Sequence, residues 1–152
     1  MAGETGDDGL TRGQGACGHR RVAHLADVRI EAWGASREDC LAQAVLGMVE
    51  CFADVSRVRP TAVERLRVAG TGDDDLLAAL LEEVAYRMEV YGRVPVDVEA
   101  ADAEDDELDV RLALAELADV ATPGALPPEV SWHRLHLAPG PYGWSCSVTL
   151  DT

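Results

Sequence analysis

Two periodicities divide this chain. A period of two, the mark of a strand with one buried face, runs through Val28, Ile30 and Ala32, through Leu66 and Val68, and through Val94, Val96 and Val98. It returns in Leu108, Val110, Leu112 and Leu114, and in Trp144, Cys146, Val148 and Leu150. A helical period governs two other stretches. Cys40, Leu41, Ala44, Val45, Met48, Val49 and Phe52 make one apolar stripe. Leu76, Leu77, Leu80, Leu81, Val84, Met88 and Tyr91 make the second.

Punctuation sets the limits. A strand from about Arg20 to His24 leads into one from Asp27 to Trp33, ended by Gly34. Ser36-Arg37-Glu38-Asp39 reads as a capping box for the first helix, which stops near Asp54. Pro60 precedes a strand over 63–69, and Gly70-Thr71-Gly72 turns the chain into Asp73-Asp74-Asp75, the start of the second helix, which Gly92 closes. Three acids at a helix start complement its dipole and need no ligand. The next two alternating runs predict a hairpin whose acidic tip spans Glu99–Glu107. A strand over 129–137 and a turn at Pro139-Gly140-Pro141 lead to the last strand. The order is strand-rich with two amphipathic helices inserted early, so the expected fold is α+β with a largely antiparallel sheet.

At 152 residues the chain has the size of one domain, able to bury roughly 70% of its unfolded surface. Residues 1–16, rich in Gly, Asp and Thr, cannot offset the entropy of ordering and are expected to be a disordered tail, leaving 17–152 as one domain. No apolar run approaches the roughly 18 residues of a membrane span, and the start lacks the regions of a signal peptide, so a cytoplasmic protein is expected. Cys17, Cys40, Cys51 and Cys146 form no CxxC pair and are expected as reduced thiols, three of them in or near the core. Twenty-eight acids against 13 basic residues, all arginine, give a formal charge of −15. Such a surface repels phosphate backbones, so direct nucleic-acid binding is not expected.

Several chemistries lack their residues. There is no GxSxG elbow, no cysteine-nucleophile signature, no Walker loop and no GxGxxG. His133 and His136, three apart on a strand, are expected on opposite faces, unable to share a metal without a bulge. The strand ends are more informative. If the first strong strand and the last are neighbours, Asp27, Asp151 and the α-carboxylate of Thr152 converge into a cluster of hard oxygens suited to a divalent cation. A plainer reading stands beside it: His24 bonds backbone, Asp27 caps a turn, and Asp151 is merely solvated.

The segment His24-Leu25-Ala26-Asp27 and the strand after it, to Gly34, resemble the opening of the archease family, whose hallmark is His-Thr-Ala-Asp. Val130-Ser131-Trp132-His133 resembles that family's Val-Thr-Tyr-His strand, and Trp144 to Asp151 its closing strand with an acid one residue from the end. The similarity covers roughly residues 18–152. It implies a metal-binding accessory protein, not itself an enzyme, that promotes guanylylation and turnover of an RtcB-type RNA ligase using GTP and manganese in tRNA splicing. It further implies that Asp27, Asp151 and Thr152 bind the metal, calcium or manganese, with His24 shaping the site. Two positions depart. Leu25 replaces a threonine hydroxyl, and Pro128 stands where many members carry a lysine, supplying neither the charge nor a backbone donor. Two other classes remain open: a metal-stabilised module binding another RNA-processing enzyme, and a metal-dependent hydrolase.

Overall fold

A computed structural model describes residues 17–23, 27–104, 106–120 and 131–151, and for Val22, Ala23, Asp27, 131–133, Leu150 and Asp151 the backbone only. Among the described residues, seven strands and two helices follow one another as β1 (Gly18–Ala23), β2 (Asp27–Gly34), α1 (Arg37–Glu50), β3 (Ala62–Ala69), α2 (Asp73–Val90), β4 (Arg93–Asp102), β5 (Glu107–Glu116), β6 (Ser131–Gly140) and β7 (Gly143–Asp151). A 3₁₀ turn at Leu117–Asp119 follows β5. The strands form two separate antiparallel sheets, β1-β2-β7-β6 and β3-β5-β4. The α+β class with antiparallel pairing is as expected, divided between two sheets.

The helices lie against both sheets. α1 contacts β1, β2 and β7 of the first and β4 of the second; α2 contacts β6 of the first and β3 and β4 of the second. That position explains why α1 buries Ala42 and Gly47 in addition to its expected stripe, since a helix covered on several sides must be apolar on each. Gly47 marks a close approach of α1 to β2: a Cβ there would lie 2.7 Å from Ile30 Cγ2. One core results, in which Ile30, Leu41, Leu77, Leu81, Leu112 and Val148 are each at most 1% exposed. Burial of such side chains contributes about 1.5–3 kcal/mol each.

The local signals are met at the helix ends. Ser36 Oγ accepts from Asp39 N at 3.0 Å. Gly92, at φ 62°, turns the chain out of α2. The three aspartates opening α2 take partners within the chain: Asp73 accepts from Arg37 Nη1 at 3.0 Å, Asp74 from Leu137 N at 2.9 Å, and Asp75 from the Thr71 hydroxyl. Arg37 also reaches Glu38 and Asp102, at 3.0 and 2.9 Å, and so ties α1 to α2 and β4.

Two expectations are corrected. The acidic tip is shorter than Glu99–Glu107: β4 continues to Asp102 and β5 begins at Glu107. Arg111 directly opposes Glu99 and pairs with it at 2.8 Å, which lets the acid sit in the ladder. β6 runs on to Gly140, and the turn falls at Pro141-Tyr142. β6 also contains a bulge. His133 opposes Thr149 and His136 opposes Ser147, so two residues on β6, Arg134 and Leu135, stand against one on β7, Val148. Arg134, at φ 59°, absorbs the extra residue. The bulge is the exception that the expectation for His133 and His136 allowed, and the His133 side chain lies outside what is described.

The first strand is observed as Gly18–Ala23. The expected tail at 1–16, His24, Leu25, Pro128, the beginning of the 129–137 strand, and Thr152 lie outside the described residues.

Candidate metal centre

β2 and β7 are neighbours along their whole length, from Gly34 opposite Trp144 to Asp27 opposite Asp151. On its other side Asp151 opposes Ser131 of β6. The acid near the end of the chain thus lies on an inner strand, between a strand that begins with Asp27 and one that begins with Ser131. Directly paired residues in an antiparallel ladder have Cα atoms about 4.5–5.5 Å apart.

The core enforces this register. Ile30 opposes Val148, and Ala32 opposes Cys146; all four are buried. A slip by one residue would send every inward side chain to the other face, so a pair with this much burial holds one register. α1 clamps the same region, with Cys40 Sγ 3.6 Å from the Ala32 carbonyl and Gly47 against Ile30. The Cys40 thiol, hydrogen-bonded to Cys146 and desolvated, is pushed well above the usual thiol range. Two of the four free cysteines are therefore packing groups, and Cys51, at the far end of α1, is half-buried.

Aspartate is a residue type that suits a hard divalent ion, because such ions prefer carboxylate oxygens. His24 and Thr152, the other expected contributors, lie outside the described residues. Among the described residues no group of three His, Cys, Asp or Glu side chains is placed to hold a metal. The expected strand adjacency is met, and Asp27 and Asp151 are brought to one ladder position.

One residue escaped the sequence reading. Arg29 sits two positions along β2 from Asp27, opposite Thr149, and its Nη2 pairs with Glu31 Oε2 at 3.2 Å. Its Nε is buried without a hydrogen-bond partner among the described residues. The signal was present in the alternation Asp27, Arg29, Glu31, which places a fixed cation one strand step from the acids.

A family model described as the Archease protein family (MTH1598/TM1083) matches residues 19–152. The chain belongs to the archease family. A Mycobacterium tuberculosis relative named "Probable protein archease" is 43% identical over 134 residues, covering 88% of this chain and 74% of the relative. "Protein archease" of Saccharolobus solfataricus is 37% identical over 60 residues, 40% of this chain and 43% of that one. Two solved archease-family structures share the fold. Methanobacterium thermoautotrophicum protein 1598 matches with a TM-score of 0.63 at 17% identity, over 89% of this chain and 99% of that one. A Thermotoga maritima protein described as an archease and possible chaperone matches with a TM-score of 0.57 at 18% identity, over 86% and 94%. No helix among the described residues is long and apolar enough to cross a membrane.

Proposed function

We propose that this archease is a metal-binding accessory protein that promotes guanylylation and multiple turnover of an RtcB-type RNA ligase, with Asp27, Asp151 and Thr152 holding one divalent ion. The observation that carries the reading is the direct opposition of Asp27 and Asp151 across β2 and β7 in a member of this family. Calcium suits an all-oxygen set with relaxed geometry, and manganese is the alternative. His24 is assigned to shaping the site. A bound ion would supply concentrated positive charge at the sheet end and relieve the repulsion between the acids. The chain's part is to fix those acids through a register that the core does not allow to slip. The partner is a protein and not RNA, since a chain of charge −15 gains nothing from a phosphate backbone. Leu25 and Pro128 bear on how strongly the ligase responds, not on the opposition of the two acids.

Two measurements test this. Calcium and manganese are titrated into wild type and Asp151→Asn by calorimetry; equal affinity in both removes the site. The ligase of the same cell is then run with GTP, manganese and broken tRNA, with catalytic amounts of wild type or Asp27→Ala. Wild type should raise turnover and Asp27→Ala should not. Metal binding without stimulation would instead identify a metal-stabilised module for another partner.

A further inference from the structure

α2 buries Leu76, Leu77, Leu80, Leu81, Val84 and Met88, yet its outer side near the C-terminus is not simply polar. Tyr86, Val90 and Tyr91 are 51%, 54% and 60% exposed. Tyr86 and Val90 are four apart and share a helix face. Tyr91, which closes the helix, sets its ring edge-on to Tyr86, with centroids 5.5 Å apart and planes at 84°. Single exposed apolar side chains are ordinary. Two tyrosines in contact beside a valine form a rigid aromatic anchor of the sort that dominates protein interfaces.

The rim of this patch is acidic. Glu82, Glu83 and Glu89 lie four before, three before and three after Tyr86, which brings them beside it on the helix surface. Arg87 neutralises Glu83 at 2.7 Å. Glu82 and Glu89 are exposed and make no ion pair among the described residues. Apolar anchors ringed by unbalanced acids repel nucleic acid and anionic lipid alike. They complement a protein surface with an apolar cleft edged by lysine or arginine.

We propose that the outer face of α2 around Tyr86, Val90 and Tyr91 docks a basic protein partner, the tyrosines filling an apolar cleft and Glu82 and Glu89 facing cations at its edge. Naming that partner as the RNA ligase rests on the function proposed above.

The test is equilibrium binding of the full chain to the ligase of the same cell, at low and high salt. The variants are Tyr86→Ser with Tyr91→Ser, Glu82→Lys with Glu89→Lys, and Val63→Ser as a control at a 54% exposed position on β3. Loss of two anchor side chains should weaken binding about thirtyfold or more. Charge reversal should slow association at low salt, with the difference shrinking at high salt. The control should bind as wild type. Raising the concentration of the tyrosine variant should restore guanylylation, a rescue that Asp27→Ala should not show. Melting curves identify any variant that fails to fold, and the charge reversal then carries the test. Wild-type binding by both variants overturns this surface and leaves the ligase reading standing. No binding by wild type overturns the ligase reading and this docking assignment with it.

Discussion

Ile30 on β2 lies directly opposite Val148 on β7, and neither is more than 1% exposed. Three residues further along, the same ladder brings Asp27 opposite Asp151. The buried pair and the acidic pair share one register, so a change that moves the acids without touching the core separates function from stability. Insertion of one serine between Leu150 and Asp151 does that. The period of two then sends the acid to the other side of the strand. Divalent binding should be lost, while the melting temperature should stay within a few degrees of wild type because Ile30 and Val148 are undisturbed. Retained affinity would mean that Asp151 does not act from its ladder position.

Arg87 donates to Glu64 Oε2 from Nε and Nη2 at 3.1 and 2.8 Å, joining α2 to β3. These bonds outweigh desolvation, which acts the other way, and hold the Glu64 carboxyl below the usual carboxylate range. A depressed folded value means the stabilisation is complete above the unfolded value of about 4.3 and is lost as pH falls through the folded one. Glu64→Gln should therefore cost about 1 kcal/mol at neutral pH, read as a lower melting temperature. The gap to wild type should narrow as pH falls below the unfolded value and close once it passes the folded one. A gap independent of pH would show that the carboxylate charge is not what stabilises.

The elements were legible because each has a local cause. A period of two, a period of 3.6, Ser36 before an apolar stripe and Gly92 after one are all read within a few residues. The misreadings come from partners distant in sequence. Glu99–Asp102 look like a solvated tip until Arg111 and Arg37 supply cations from β5 and α1. The bulge at His133–His136 depends on how β6 and β7 must align, which no residue near it announces. The division into two sheets is likewise a matter of which strands meet. For the site, Asp27 and Asp151 are legible as strand ends and Arg29 by its alternation with Asp27, whereas the pairing of Arg29 with Glu31 exists only in the folded strand.

The thiols should separate by environment. Cys17 is exposed, Cys51 is half-buried, and Cys40 and Cys146 are buried. Desolvation is the first cause that pushes the Cys51 thiol up to about 11, so little thiolate exists there at pH 8, and the thiolate is the reactive form. A chromogenic disulfide reagent at pH 8 should titrate Cys17 quickly, Cys51 slowly, and Cys40 and Cys146 only in denaturant. Four equally fast thiols in the native protein would contradict the packing of α1 on β2 and β7.

Arg29 offers the sharpest probe of the acids. Positions two apart on a strand are about 6.6 Å apart, so the guanidinium is within Coulomb range of any ion held at Asp27. Unit charges at that separation interact by about 0.6–2.5 kcal/mol for effective dielectric constants of roughly 80 to 20. Glu31 offsets part of this, being shared between Arg29 and Arg20 at 3.2 and 2.5 Å. A cation fixed beside the acids competes with a metal for them. Arg29→Met keeps much of the apolar stem and removes the charge, and should tighten calcium or manganese binding by up to about tenfold. The gain should shrink in high salt as the exposed part of the interaction is screened. Weaker binding in Arg29→Met would show instead that the arginine holds the carboxylates in their binding arrangement. Unchanged binding would show that the ion does not sit at Asp27.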